Sequence, residues 1–486
     1  MRYSRPRPRA ETRFPQGPGR QSDRAQLDRS GGSLSGARVS TEEEKHMEAI
    51  KQKALTYIET QRGEAKEIAR EIWSFAEVAL EEFRSAELLE DLLEQNGFEV
   101  QRGVGDLPTA FIARAGEGGP TIGILGEYDA LPHCGPSHSE QGHGCGHNLF
   151  GTACAYAGIA AHRALREAGA PGQVVVFGCP AEETLEGKVY MARDGAFEGL
   201  DAVISWHPHW GNYTRAGSTN AMDSMAFEFF GESAHSARDP WNGRSALDGI
   251  EIMNYGVNMM REHMIEAARI HYVIKDGGVA PNVVPSYGRV WYYVRGPNRA
   301  IVNELSERVR NCARAGALAS DTKMKETLLT AVYETLPNLA LSNCVQRNLE
   351  GVGAHTYTDE ERAFAKKVGF DEPLCEEILP LNMEHTRPSN ERGNVSWLAP
   401  LGNLYTACHA PGTPGHSWLA TQQYGMEIGE KGMLTAAKTM AASIIELISD
   451  EGLLREVRAE FEEKTQGFTY DPLIPKDQKP NPLGVR

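Results

Sequence analysis

Three short runs of continuously apolar, largely β-branched residues each end in residues able to do chemistry, and this pattern narrows the possible folds most. TIGILGEYD, QVVVFGCPAEE and DAVISWHPH each pass from Ile, Val and Leu into Glu, Asp or His. Apolar runs bounded by Gly and Pro read as strands buried on both faces. A helical pattern follows His147, and apolar residues three and four apart (Ile58, Ile68, Ile72, Phe75, Leu88, Leu92) make amphipathic helices between Thr41 and about Asn96. Strand–helix–strand alternation predicts an α/β domain with a mostly parallel sheet. Sites in such sheets form beyond the carboxyl ends of the strands, which is where the Glu, Asp and His residues fall.

Near Ser218 the pattern changes. SMAFEFFGESAHSA, RIHYVIKDGG, SYGRVWYYVRG and KMKETLLTAVYETLPN read as strands, with one helix after the first and another after the third. That order predicts a two-layer α+β domain inserted into the first, and 486 residues give room for both cores. The expected organisation is a catalytic domain from 47–215 and 336–470, an inserted domain over 216–335, and an irregular Pro-rich tail over 471–486. Residues 1–46 stand apart. Residues 1–38 hold nine Arg and three acids with almost no apolar side chains, a composition that cannot bury a core and predicts a disordered leader. It lacks the apolar segment of a secretory signal. A start assigned too early, with the protein itself beginning near Val39 or Met47, accounts for it better than an organellar transit peptide.

A net charge of −16 argues against nucleic acid, since phosphate binding needs clustered Lys and Arg, and against an anionic membrane surface. No apolar run approaches the roughly 18 residues needed to span a bilayer. Eight scattered cysteines do not form a disulfide framework, so a reducing, cytoplasmic compartment is expected.

The candidate functional residues lie in GEYDALP (Glu127, Asp129), HGCGHN (His143, Cys145, His147), PAEE (Glu182, Glu183), WHPH (His207, His209) and PGTPGHSW (His416). Taken singly these are weak: Cys145 and His147 alone read more readily as a buried thiol and a helix-start histidine. Together, and mostly at strand ends, they point to a metal site. Imidazole, carboxylate and thiolate suit Zn²⁺, Mn²⁺ or Co²⁺ rather than Ca²⁺ or Mg²⁺. Two such ions can hold a hydroxide and polarise a carbonyl. A glutamate that is not a ligand must then move the proton, and adjacent glutamates supply one of each kind.

GEYDALP, GHGCGHN, CPAEE, WHP, PGTPGHSW and the inserted domain's GESAHSA and PNVVP together resemble the aminoacylase-like dinuclear metallopeptidase superfamily. Within its auxin-conjugate hydrolase branch the chain is most similar to the p-aminobenzoyl-glutamate hydrolases, from about residue 55 into the tail. The resemblance implies Cys145 (bridging), His147, Glu183, His207 and His416 as ligands of two divalent ions, Mn²⁺ ahead of Zn²⁺. It also implies Glu182 as general base and Asp129 as the aspartate that orients a ligand. Glu127 stands where other branches carry a ligand histidine, and His143 and His209 are expected to be supporting or structural. The inserted domain becomes a lid that dimerises or pairs with a homologous subunit. His235 then reaches a partner's site to stabilise the oxyanion, and Asn282 and Arg295 clasp the substrate carboxylate. The implied activity is hydrolysis of the amide of an N-acyl or N-aroyl amino acid. Deamination of an aromatic amine at the same site is the alternative, and a non-catalytic partner subunit is an alternative of another class. One stretch departs from those hydrolases: Ser389-Asn390-Glu391-Arg392-Gly393-Asn394 replaces a Ser-Thr-Asp-Val-Gly-Asp pattern.

Overall fold

The computed structural model describes residues 41–486 except 138, 369–371, 482 and 484–486. The chain divides into two units, Met1–Glu42 and Glu43–Arg486, and the fold described here belongs to the second. The expected leader lies almost wholly outside the described residues. Its last residues do not: a helix runs over Glu42–Thr60, so Glu42–His46 are helical. Three glutamates in the first turn favour that start, because the amino end of a helix attracts negative charge.

Eleven strands are found among the described residues: Glu99–Arg102 (β1), Phe111–Glu117 (β2), Thr121–Glu127 (β3), Gly172–Cys179 (β4), Ala202–His209 (β5), Tyr213–Arg215 (β6), Ala221–Phe230 (β7), Arg269–Asp276 (β8), Tyr287–Gly296 (β9), Lys323–Val332 (β10) and Leu401–Ala407 (β11). Seven form one sheet in the order β1-β2-β4-β3-β5-β11-β6. Its central four, β4-β3-β5-β11, are parallel, and β1, β2 and β6 add antiparallel margins. β1 and β6 escape a sequence reading because EVQR is mostly exposed and YTR has three residues, too little pattern to register.

The parallel strands read as apolar runs because helices cover both faces. The helix His147–Ala168 connects β3 to β4 and packs with Glu427–Ser449 on one side, burying Ile124, Ile204, Phe150, Ala157 and Met440. On the other side Gly187–Arg193 covers Phe177, Val203 and Phe197. Each large aliphatic buried this way stabilises the fold by roughly 1.5–3 kcal/mol, and Ile124→Ala would cost about 2–5 kcal/mol. The first of these helices lies close on the sheet: a Cβ at Gly158 would come within 2.5 Å of Val176 Cγ2.

β10-β7-β9-β8 make a separate, fully antiparallel sheet. Helices Ala246–Met260 and Arg299–Ser320 pack on it, so the element order over 221–332 is strand–helix–strand–strand–helix–strand. Strand β9 alternates strictly. Val290, Tyr292 and Val294 join the core beneath the helices, and Trp291, Tyr293 and Arg295 point to the opposite face.

Candidate metal centre

The register of the parallel strands brings the functional segments side by side. Glu127 at the end of β3 pairs with Cys179 of β4, and His207 of β5 pairs with Tyr405 of β11. Gly146 takes a left-handed φ of +79°, and a Cβ there would meet the Tyr424 ring at 2.9 Å. Glycine is therefore needed for the turn that makes His147 the first residue of its helix. Glu182–Thr184 form a tight turn between two left-handed residues, Ala181 (φ +55°) and Leu185 (φ +58°). Such backbone costs on the order of 1–3 kcal/mol per residue and must be held by its surroundings. Buried Glu82 holds one end by accepting from Ala181 N at 2.8 Å and Thr109 Oγ1 at 2.9 Å. At the other end Thr330 Oγ1 donates to Leu185 O.

Two groups of three donors share Cys145: Cys145, His147 and His207, and Cys145, Glu183 and His416. Within each group the donor atoms lie within 4.8 Å of one another. Cys145 Sγ is 3.3 Å from His207 Nε2, and His416 Nε2 is 3.7 Å from Glu183 Oε2. The outer nitrogens are tied back. His147 Nδ1 is 2.8 Å from Asp129 Oδ1, and His207 Nδ1 is 2.7 Å from Pro208 O. These bonds turn both Nε2 lone pairs toward the cluster. Asp129 Oδ2 accepts from Glu183 N at 2.9 Å, so one carboxylate fixes two candidate ligands. His147 Nε2 and Glu183 Oε1 are buried without a hydrogen-bond partner. Buried polar atoms rarely go unmatched, and bare N and O atoms gathered around the Cys145 sulfur are what a divalent transition ion could fill.

A third group, Glu127, His147 and Glu182, adjoins the first two. Glu127 Oε1 lies 2.8 Å from Lys188 Nζ, which also reaches Glu391 Oε2 at 2.8 Å, all three side chains being fully buried. The Glu127–Lys188 contact is an ion pair whose angles miss hydrogen-bond geometry. Glu182 Oε2 is 3.8 Å from His147 Nε2, and Glu182 Oε1 accepts from Asn390 Nδ2 at 2.5 Å. Burial, and then the Glu127 charge, push the Glu182 carboxyl up to about 7. Burial lifts Glu183 to about 8 and raises the Cys145 thiol. Burial and the neighbouring His147 lower His207 to about 3. For Glu127, burial acts to raise the pKa, but Lys188 and His147 outweigh it and hold the carboxyl below its ordinary value.

No family model matches the chain. It is 38% identical over 469 residues to a p-aminobenzoyl-glutamate hydrolase subunit of Escherichia coli (strain K12), covering 88% of this chain and 98% of that one. The chain belongs to the p-aminobenzoyl-glutamate hydrolase family. The chain is an amidohydrolase-type hydrolase acting on C–N bonds. It is also 31% identical over 434 residues to an Xaa-Arg dipeptidase of Mus musculus, covering 86% of this chain and 94% of that one. The fold matches that of a dinuclear metal binding peptidase of the M20 family from Bacillus subtilis, with TM-score 0.53 and 15% identity over 80% of this chain and 99% of that one.

In this member of the p-aminobenzoyl-glutamate hydrolase family, three residues that the sequence singles out lie in the segment that carries the second sheet. Arg295 sits on the outward face of β9 and donates to Ser389 Oγ at 3.1 Å, tying the second sheet to the 389–394 loop. His235 and Asn282 are exposed neighbours: His235 bridges Val283, and Asn282 O accepts from Ser236 N at 3.1 Å. Within this chain neither hydrogen-bonds a residue of the Cys145 cluster. His143 is buried against Ile72 O at 3.1 Å, and His209 meets the Tyr213 hydroxyl at 3.3 Å, both outside the donor groups. A cleft of about 370 Å³ opens from Glu183 between Leu131 and the outward face of the second sheet, walled by Trp291, Tyr293, Leu329 and Asn481.

The sequence gives no signal for Lys188 or Glu82, and marks Asn390 only as part of the departing 389–394 stretch. Lys188 sits in a short helix of ordinary composition and its carboxylate partner Glu391 is 203 residues away. The one available signal was the departure at 389–394, which the fold carries to the wall of the site.

Proposed function

We propose that the chain hydrolyses the amide bond of N-acyl or N-aroyl amino acids at a centre of two divalent ions, Mn²⁺ or Zn²⁺. Cys145, His147 and His207 would hold one ion, and Cys145, Glu183 and His416 the other. The observation that carries this reading is the sharing of Cys145 by two donor groups, with bare buried donors on His147 and Glu183. Such ions supply an acidified water and polarisation of the scissile carbonyl. Asp129 orients His147 and the Glu182–Thr184 turn together. Glu182, raised to about 7, is suited to accept a proton from water and pass it to the leaving nitrogen. Arg295, beside the cleft, presents the fork that binds a carboxylate in two places.

A second copy of the chain supplies His235 and Asn282 in this reading. Edge strand β8 exposes Val273 (50%) and Ile274 (38%), and the helix Ala246–Met260 exposes Tyr255 and Met259. An open edge with apolar side chains is a pairing surface. Sedimentation should show a dimer that Val273→Asp dissociates with loss of activity; a fully active monomer would contradict it. A partner of the homologous-subunit type would appear as activity only on mixing. The free state of all eight cysteines, with one as a ligand, suits a reducing cytoplasm. No helix among the described residues is long and apolar enough to cross a membrane.

Release of ammonia from an aromatic amine is the second reading, favoured by the altered loop reaching Glu182 through Asn390. The deciding experiment is a screen of p-aminobenzoyl-glutamate, N-acyl amino acids and aminobenzoates on metal-loaded protein. Release of free amino acid supports the amidase, release of ammonia from aminobenzoates supports the deaminase, and turnover of neither overturns both.

A further inference from the structure

The C-terminal tail belongs to the cleft as a built element. Strand β10 shifts register between Leu328 and Thr330 against β7. Gln478 Nε2 donates to the carbonyls beside that irregularity, Leu328 O at 2.9 Å and Leu329 O at 3.3 Å. Tyr190 of the helix Gly187–Arg193 donates its hydroxyl to Lys479 O at 2.9 Å, and Arg193 Nη1 donates to Gln478 O at 2.6 Å. The tail therefore fastens the second sheet to the helix that follows the Glu182–Thr184 turn. Its last tie is closest to the chemistry. Asn481 N donates to Glu186 Oε1 at 2.6 Å, while Glu186 Oε2 accepts from Thr184 Oγ1 at 2.9 Å.

Asn481 is the tail residue that lines the cleft. It is held at a left-handed φ of +51°, which asparagine tolerates better than most residues. Its side-chain oxygen is buried with no hydrogen-bond partner. The wall around it is otherwise rich in Trp291, Tyr293, Leu329 and Leu131. Of the cleft residues, Asn481 and the candidate metal ligand Glu183 carry unmatched acceptors, and an aromatic group seated against the wall away from Glu183 would meet that of Asn481. We infer that Asn481 is a specificity-determining residue whose amide oxygen accepts a hydrogen bond from an N–H or O–H donor on the ring of the substrate's aromatic group. This rests on the reading of the cleft as the place where an N-aroyl amino acid binds.

The test is calorimetric binding to metal-loaded full-length Glu182→Gln, so that turnover does not intervene. The ligands are N-benzoyl-glutamate and its ortho-, meta- and para-amino derivatives. One amino isomer should bind about tenfold more tightly than the unsubstituted compound, the worth of one hydrogen bond. Adding Asn481→Ala should reduce that ratio to about one, and Asn481→Asp, which keeps an acceptor, should restore part of it. A general loosening of the fold would weaken all four ligands alike and leave the ratio unchanged, which would overturn the inference. So would a failure of all four to bind. If the ratio responds as stated but the unaltered protein cleaves none of the four, the amidase reading fails and this assignment stands.

Discussion

Asn390 Nδ2 donates to Glu182 Oε1 at 2.5 Å, and Asn390 is itself held by Arg392, whose N and Nε reach Asn390 Oδ1 at 2.8 and 2.9 Å. The carboxylate read as the proton carrier is thus positioned by the stretch of sequence that departs from the related hydrolases. Asn390→Ala should lower kcat roughly ten- to a hundredfold, a fraction of what general acid–base catalysis is worth. Metal content should not change. Steady-state kinetics beside elemental analysis would check this, and an unaltered kcat would remove Asn390 from the account.

Lys188 makes a stability prediction. Its single ammonium lies against both Glu127 and Glu391, all three side chains being fully buried, and burial pushes the Glu391 carboxyl up to about 8. Lys188→Met would leave the buried Glu127 carboxylate without its cation, at a cost of about 3–5 kcal/mol. Adding Glu127→Gln and Glu391→Gln should recover most of that loss. Urea unfolding reads both outcomes. A single variant as stable as the parent would show that the three groups are not charged as their contacts imply.

Metal uptake should be linked to protons. In the metal-free protein Glu183 titrates near 8 and the Cys145 thiol lies above its usual range, so both carry protons at neutral pH. His207, lowered to about 3, is already neutral. Ligands bind only when deprotonated, so affinity should rise with pH up to and beyond about 8 and fall as pH drops. His147 also carries a proton, because Cys145 and Asp129 outweigh burial and hold it well above its ordinary value, so on the order of two to three protons should leave per chain. Calorimetry in buffers of different ionisation enthalpy measures the number directly. A heat independent of buffer would exclude Cys145 and Glu183 as ligands that ionise on binding.

Arg295→Lys should raise KM for carboxylate substrates about tenfold with kcat nearly kept, because an ammonium cannot reproduce the two-pronged contact. Loss of kcat with unchanged KM would instead point to disturbance of the loop through Ser389.

What could be read from the sequence divides along the reach of the interactions. β3, β4 and β5 were legible because a strand covered on both faces must be apolar throughout, and residues such as Glu127 and His207 stand out at their ends. The grouping of Cys145, His147, Glu183, His207 and His416 followed from resemblance, and the parallel register shows how one sheet edge gathers them. Lys188 and Glu82 were not legible, and Asn390 was legible only as part of the departure at 389–394, without its partner. Their functions are defined by partners brought close only by the fold: Glu82 reaches Ala181 across 99 residues, and Asn390 reaches Glu182 across 208. The tail was read as irregular, and among the described residues it has no helix or strand. Its attachments to Leu328, Leu329 and Tyr190 run through side chains and carbonyls that no periodicity announces.

The most direct test of the two-ion centre is a titration of stripped protein with Mn²⁺ or Zn²⁺, following bound metal and amide hydrolysis together, with Glu182→Gln in parallel. The account predicts that activity saturates as the second ion per chain binds, and that Glu182→Gln binds both ions with turnover all but abolished. Full hydrolysis by the stripped protein, or undiminished turnover in Glu182→Gln, would contradict it.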